Sequence, residues 1–200
     1  MKTRNIGDAF QHGIDLLKGE DSVDKTFCSQ KNCPDQETAQ PAFARAREKV
    51  FDVNRWSDVS SLTAKFVLHD AAGRPKPSGW PTVGDFICLE LPGPTPENWV
   101  KVIEVIDEER KAGFAARPCA DPNENENRTE HFFTAESTST FRVERVGNTL
   151  SACQFGENER INNQHPEAGG RAVVNTVIAT TGWLFYQKIQ WKTLMDYLLE

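Results

Sequence analysis

A chain of 200 residues is long enough to bury a core without disulfide bonds, and this length suits one domain with an added arm. A formal net charge of −6, without any lysine or arginine cluster, argues against nucleic acid as a partner. The N-terminal residues lack an apolar core of signal-peptide length, and the most apolar stretch, residues 172–186, is too short for a membrane-spanning helix. We therefore predict a soluble, cytoplasmic protein with no membrane partner.

The five cysteines are an odd number in a chain without a recognisable leader, which predicts reduced thiols. Cys28 and Cys33 have a spacing that could supply two zinc ligands, but no second pair follows nearby, and we predict no metal site. Cys88 and Cys153 fall in strand-like runs and are expected to be small buried residues. No glycine-rich loop follows a strand and opens a helix, so we predict no nucleotide and no other cofactor.

The N-terminal part of the chain is predicted to form a helix followed by a linker. Residues 5–18 carry apolar side chains at helical spacing, and Gly19 is expected to end this helix. Residues 20–41 are polar and poor in aliphatic side chains, which indicates a linker or mobile loop. We therefore predict an N-terminal helix plus polar linker over residues 1–41 and a single α+β domain over residues 42–200.

A second helix is predicted over residues 42–50, because Pro41 suits the start of a helix. Short runs of alternating polarity then follow one another, and Gly147-Asn148 is a strong hairpin signal. This spacing is typical of an antiparallel meander of about six strands, with a possible short extra strand at residues 132–134. The predicted strands are residues 63–69, 85–91, 99–106, 113–117, 139–146 and 149–155.

The C-terminal part reads as a long helix over residues 171–199, kinked at Gly182. Its second half carries an apolar stripe that must be buried against the sheet. The members of that stripe are Trp191, Met195, Leu198 and Leu199. The predicted fold class is α+β: a curved antiparallel sheet of about six strands, with N-terminal helices and a long kinked C-terminal helix packed on the sheet.

Residues 42–200 resemble the helix-grip fold of START and polyketide-cyclase-like proteins in layout. The carriers are FDVNRWSDVS after a helix, the strand VGDFICLEL and the final helix. The sequence departs from that layout because no clear strand precedes the helix, unless residues 20–41 supply one. VGD-x-I-x-x-x-LPGP, WVKVIEVIDE, HFFTAESTSTF and GENERIN also resemble, in the same order, an uncharacterised family of bacterial proteins of about this size. That resemblance implies no particular chemistry.

The polar stretch QFGENERINN, residues 154–163, is the first candidate site. Gly156 permits a bulge, and beyond it Asn158 and Arg160 share one side if the strand resumes. An arginine directed into a cavity mouth could bind a carboxylate with two hydrogen bonds. The alternative is that Arg160 pairs on the surface with Glu157 or Glu144.

Aromatic residues and histidine supply the other candidates. His131 beside two phenylalanines could act as a general base, although such a residue is more often a strand end with a satisfied hydrogen bond. Trp80, in a turn between Gly79 and Pro81, could be a lid, an interface anchor or a plug beneath its loop. The ligand-binding candidates are Trp56, Trp80, Trp99, Asn158 and Arg160.

The sequence is compatible with three candidate functions. The first is non-enzymatic binding of a small apolar ligand between the sheet and the C-terminal helix, which requires a cavity of about 300 Å³ or more. The second is a protein–protein interaction module or homodimer whose surface includes Trp80. The third is a hydrolase-like enzyme that uses His131 with the cluster from Glu157 to Arg160; we predict no catalytic residue with the first two.

Overall fold

The computed structural model describes residues 15–16, 22–59, 64–90, 97–124, 129, 131–163 and 183–200, with the side chains of the last helix from Gln187 onward. The predicted helix at residues 5–18 lies outside this range except for Asp15 and Leu16, which are helical. The predicted helix at residues 171–181 and the kink at Gly182 also lie outside the described residues.

A seven-stranded antiparallel sheet forms the body of the protein, in the order β1-β7-β6-β5-β4-β3-β2. Helix α1 and a 3₁₀ helix follow β1, and helix α2 ends the chain. The fold class is therefore α+β, with one strand more than predicted. The elements are β1 (Val23–Asn32), α1 (Gln36–Phe51), the 3₁₀ helix (Val53–Asp58), β2 (Lys65–His69), β3 (Phe86–Glu90), β4 (Asn98–Asp107), β5 (Lys111–Pro118), β6 (Thr138–Val146), β7 (Thr149–Glu159) and α2 (Trp183–Leu199).

Strand β1 lies where the sequence indicates a linker, so that interpretation is wrong for the described part of residues 20–41. β1 is an edge strand that pairs only with β7, and most of its side chains are exposed or half-buried. An edge strand of this kind needs no continuous apolar face, which is why its pattern is weak. β1 supplies the strand before the helix that the helix-grip layout requires, and it accounts for the seventh strand.

Helix α1 begins at Gln36, several residues before the predicted start. Asp35 is its N-cap: the carboxylate accepts a hydrogen bond from the Thr38 backbone N–H at 2.8 Å, and the Thr38 hydroxyl accepts one from the Asp35 N–H at 3.4 Å. This reciprocal pair satisfies backbone donors that a helix start leaves free. Pro41 therefore lies inside the helix, and the prediction that it opens the helix is wrong.

The core lies between the inner face of the sheet and the elements α1, the 3₁₀ helix and α2. The predicted stripe on α2 is confirmed, since Trp191, Met195, Leu198 and Leu199 are all buried. Helix α2 is also tied to β1 by a hydrogen bond of 2.6 Å that the Ser29 hydroxyl donates to Asp196. The strand predicted at residues 63–69 is confirmed as β2, and the alternate residues Ala64, Phe66 and Leu68 of this stretch are buried.

Cys28 and Cys153 form a disulfide, so the prediction of reduced thiols is wrong for this pair. The two residues face each other across β1 and β7 with their Cα atoms 4.2 Å apart. They are 125 residues apart in sequence, and only the sheet register brings them together. Cys153 is half-buried in this bond rather than a small buried residue of the core.

Cys33, Cys88 and Cys119 are free thiols. Cys88 is buried in β3 as predicted, and burial raises the pKa of its thiol. Burial likewise raises the pKa of Cys119 to about 12. Thiols in such surroundings stay protonated and are poor nucleophiles.

Within the described ranges, no group of three or more His, Cys, Asp or Glu side chains is arranged to hold a metal ion. None of the helices in the described part of the chain combines the length and apolar character needed to cross a bilayer.

Candidate functional site

A cavity of about 50 Å³ lies between the inner face of the sheet and helix α2. The β3–β5 wall of the cavity is aliphatic, from Ile87, Leu89, Val100 and Ala116. Much of the remaining wall is aromatic, from Trp56, Phe66, Phe132, Phe133, Phe141 and Trp191. The cavity is smaller than the volume expected from the sequence, because aromatic side chains fill most of the space between sheet and helix.

Some polar side chains in the cavity wall are engaged by the protein itself. The Asn98 side-chain oxygen accepts a hydrogen bond of 2.8 Å from the Phe132 backbone N–H. The Ser139 hydroxyl accepts one of 3.5 Å from the Gln154 amide. These groups hold the wall in shape, because a buried polar group is stable only with a partner.

Gln190 and Trp191 differ from these side chains. Both line the cavity, and both are buried, with exposed fractions of 2 % and 7 %. Neither Gln190 Oε1 nor Trp191 Nε1 has a hydrogen-bond partner. An unpaired buried polar atom costs about 1–3 kcal/mol, so a pair of them in one cavity wall is unusual in a native fold.

Gln187 connects the cavity to a buried ion pair. Its side-chain oxygen accepts a hydrogen bond of 2.7 Å from Lys25 Nζ, and its amide nitrogen lies 3.5 Å from both carboxylate oxygens of Glu159. Lys25 and Glu159 form an ion pair of 2.9 Å, and the Glu159 side chain is only 1 % exposed. This cluster joins β1, β7 and α2 at one side of the cavity.

A bulge near the end of β7 turns the side chain of Glu159 toward the protein interior. Burial alternates along β7 up to Gly156, but Glu157 and Asn158 are both exposed, and Glu159 is buried. Asn158 has a positive φ of 51°, and its backbone N–H donates to the Asp24 carboxylate at 2.8 Å. The sequence permits a bulge at Gly156, and the structure places the irregular residue two positions later, at Asn158. Because of this bulge, the inward side chain beyond it is Glu159 instead of Asn158.

Asn158 and Arg160 do not point to the interior together. Asn158 is exposed, Arg160 is half-buried, and neither lines the cavity. Glu144, one of the surface partners expected for Arg160, lies 3.6 Å from Arg142. Ligand binding by Asn158 and Arg160 stays a prediction that this geometry does not favour.

Trp56 is the one ligand-binding candidate that lines the cavity. Its indole N–H donates to the Lys49 carbonyl at 2.9 Å, and its ring lies 4.9 Å from that of Phe141. Trp99 is also buried, but its neighbour Val100 lines the cavity, so Trp99 points to the opposite face of the sheet. There it packs edge-on against His69 with ring centroids 4.8 Å apart.

Trp80 lies away from the cavity, against the C-terminal end of α1. Its ring stacks on Phe51 at 4.9 Å, and the Arg47 guanidinium lies 4.5 Å from it. Arg47 in turn pairs with Asp107 in β4 at 2.5 Å. Trp80 is still 39 % exposed, so it partly covers the α1 end and leaves one side open to solvent.

His131 lines the cavity, and its Nδ1 accepts a hydrogen bond of 2.9 Å from the Phe133 backbone N–H. This is the satisfied strand-end arrangement that the sequence favours over a catalytic one. Phe133 pairs with Ile161 in an isolated bridge, which corresponds to the short strand expected at residues 132–134. Catalysis by His131 with the cluster from Glu157 to Arg160 stays a prediction.

No sequence pattern singled out Lys25, Gln187 or Gln190, and Glu159 was indicated only as a member of the cluster from Glu157 to Arg160. Lys25 lies in the stretch read as a linker, and Glu159 reaches the interior only through the bulge. A signal for the glutamines exists, because Gln187, Gln190, Trp191 and Leu194 follow helical spacing on the buried face of α2. Glutamines on an otherwise apolar helix face indicate either a buried network or a binding site.

Comparison with solved structures supports the fold. A hypothetical protein from Helicobacter pylori is similar over 98 % of both chains, with 14 % sequence identity and a TM-score of 0.51. Two further structures match with a TM-score of 0.42, which is too low to support a conclusion. They are major latex-like protein 151 from Panax ginseng, at 10 % identity over 79 % of this chain and 95 % of that one, and norcoclaurine synthase from Thalictrum flavum, at 14 % identity over 100 % and 94 %.

No protein-family model matches this sequence, and no curated protein matches it. The comparisons and the strand order together confirm the helix-grip layout, and they assign no chemistry to the chain.

Proposed function

We propose that this protein is a non-enzymatic binder of a small, mainly apolar ligand, held between the sheet and helix α2. The observation that carries the proposal is the cavity itself, whose wall is apolar apart from a few buried polar atoms. Binding sites for small molecules have this composition: an apolar surface provides most of the affinity, and a few polar groups fix the orientation.

The ligand is neutral. None of the described residues that line the cavity is Asp, Glu, Lys or Arg, so a charged ligand would lose its hydration without gaining a counter-charge. The charges of Lys25 and Glu159, which contact the lining residue Gln187, are paired with each other.

The ligand is also small, or the wall moves to admit it. An apolar cavity of roughly 150 Å³ accommodates benzene, and pockets for drug-sized molecules begin at about 300 Å³. At about 50 Å³ the cavity needs a shift of wall side chains before a single ring fits.

Native mass spectrometry of protein purified from its own host tests this function. We expect a co-purifying small molecule that is lost on mild denaturation. Ala116→Leu places extra side-chain volume into the cavity wall and is expected to abolish the adduct, whereas Val146→Leu, at an exposed position, keeps it. An adduct retained unchanged in Ala116→Leu would place the ligand elsewhere and contradict the proposal.

A second candidate function is a protein–protein interaction module. Its supporting observation is the exposure of two large apolar side chains close together in sequence, Trp80 at 39 % and Val83 at 64 %. Sedimentation velocity and a pull-down from host extract test it. We expect Val83→Asp to lose the partner or the dimer, and a wild-type chain that is monomeric at every concentration and retains no partner would exclude it.

A further inference from the structure

We propose that the ligand carries a hydroxyl group, which donates a hydrogen bond to Gln190 Oε1 and accepts one from Trp191 Nε1. This inference rests on the proposed function, and it names the chemical class of ligand that the same cavity selects. The polar pair of the cavity is defined as Gln190 Oε1 and Trp191 Nε1.

The polar pair stands apart from the other polar atoms of the wall. Asn98, Ser139 and Gln187 each use a side-chain atom in a hydrogen bond with the protein. The polar pair has no protein partner, although both side chains are more than nine-tenths buried. The two residues that carry the pair are consecutive on α2, and both residues line the same cavity. In the proposed complex, a group of the ligand is the partner of both atoms.

The chemistry of the pair decides the ligand class. A glutamine oxygen accepts and an indole N–H donates, so the matching group must do both, as a hydroxyl does. A carboxylate cannot donate to Gln190, and an ammonium group cannot accept from Trp191. A purely apolar ligand would leave both atoms buried without a partner, which lowers its affinity.

The Trp191 ring packs against two other aromatic side chains of the cavity wall. The Trp191 ring lies edge-on to Phe141 at 5.3 Å and 6.4 Å from Phe66, and both of these residues line the cavity as well. A donor held by aromatic neighbours loses little freedom when it binds, which favours directional recognition over non-specific uptake.

Phenol and toluene are the probes that test this inference, because they have nearly the same shape and differ in a hydroxyl against a methyl group. Binding of each to the full-length protein is measured by ligand-detected NMR titration. We expect phenol to bind the wild-type protein about three- to tenfold more tightly than toluene, the ratio that one or two net hydrogen bonds provide.

Each of two variants removes one member of the polar pair and keeps an apolar side chain in the cavity wall. Gln190→Leu removes the acceptor at similar volume, and Trp191→Phe removes the N–H while it keeps an aromatic ring. Each variant is expected to bring the phenol-to-toluene ratio close to one. Ile189→Ala, at an exposed position of the same helix, is the control and is expected to leave the ratio unchanged.

A second readout separates a binding role from a structural role. If the polar pair serves the ligand, Gln190→Leu raises the melting temperature of the ligand-free protein, because an unpaired buried amide is replaced by an apolar side chain. A lower melting temperature together with an unchanged phenol-to-toluene ratio would show that the amide serves the fold, and it would overturn the inference.

The outcomes distinguish the inference from the function on which it rests. Equal binding of phenol and toluene to the wild-type protein would refute the proposed hydroxyl group of the ligand, while the cavity would remain a binding site. This result is expected if a water molecule permanently binds the polar pair. If neither probe binds at its solubility limit and no adduct co-purifies, the cavity-binding function itself is refuted.

Discussion

Gly156 and Glu159 share one space at the end of β7. A Cβ atom on Gly156 would lie 2.2 Å from Glu159 Oε1 and 2.8 Å from its carboxyl carbon, both far inside a normal contact distance. The missing side chain of Gly156 is thus what allows the Glu159 carboxylate to turn inward and reach Lys25. The glycine in QFGENERINN therefore makes room for a buried charge.

Gly156→Ala is expected to displace the Glu159 carboxylate and lower the free energy of unfolding by about 1–3 kcal/mol, the range for overpacking a filled site. Urea unfolding followed by tryptophan fluorescence measures the loss. Adding Glu159→Ala to this variant removes the clash. The loss of unfolding free energy in the double variant should therefore be smaller than the sum of the losses in the two single variants. Gly147→Asn is the control, because Gly147 has open space around it and Asn tolerates its φ of 61°. Additive losses would mean that the two residues do not compete for space.

Lys25→Met is expected to leave the Glu159 carboxylate buried without its counter-charge and to lower the free energy of unfolding by about 2–3 kcal/mol. The figure lies below that for a fully enclosed pair because the Lys25 side chain is 18 % exposed. A second change, Glu159→Gln, should restore part of the loss, since it removes the uncompensated charge. Lys65→Met breaks an exposed pair with Glu90 and should change stability by no more than about 1 kcal/mol. Equal losses at the two sites would contradict a buried role for Lys25.

Reduction of the Cys28–Cys153 disulfide is expected to lower the free energy of unfolding by about 2–5 kcal/mol, because the bond closes a long loop in the unfolded chain. Urea unfolding with and without dithiothreitol measures this difference. The double variant Cys28→Ser/Cys153→Ser should match the reduced protein and respond no further to dithiothreitol. An effect of dithiothreitol on the double variant would assign the loss to another thiol.

The same disulfide bears on location. Stable disulfides are rare in the reducing cytosol, so the bond weighs against the predicted cytoplasmic location, which stays a prediction. Thiol alkylation and mass spectrometry of protein taken directly from host cells measures the oxidised fraction. A fully reduced pair in intact cells would support the cytoplasmic prediction.

The N-cap of α1 predicts a pH dependence at the acid end. Hydrogen bonds from Thr38 hold the pKa of the Asp35 carboxyl below its usual value. A depressed folded-state pKa means that the contribution to stability is complete above the unfolded-state pKa and is lost as pH falls through the folded-state pKa. We therefore expect the helix start to weaken from about pH 4 downward.

Asp35→Asn isolates this effect, because Asn is an equally good N-cap but does not ionise. Relative to the wild-type protein, its urea midpoint should fall less steeply with acid below about pH 4. Asp35→Ala is the comparison that removes the cap at every pH. Parallel pH profiles for the wild-type protein and Asp35→Asn would assign the acid sensitivity to other carboxylates.

Local patterns in the sequence determined much of this fold. Alternating polarity identified β2 with Ala64, Phe66 and Leu68 on its inner face, and helical spacing identified the stripe on α2 that includes Met195. Both patterns are readable because one face of each element is buried, and burial imposes a period on the residues. Gly147-Asn148 likewise marked the β6–β7 hairpin through the backbone conformation that a tight turn requires.

Only the tertiary structure decided the features that join distant parts of the chain. β1 is an edge strand whose place depends on β7, so its own sequence carries almost no period. The Cys28–Cys153 pair depends on the register between those two strands. The inward turn of Glu159 depends on a bulge of one residue, which reverses the faces beyond it. The polar pair on α2 became visible as a candidate site only in the folded chain, because a cavity is formed by residues that no local pattern connects.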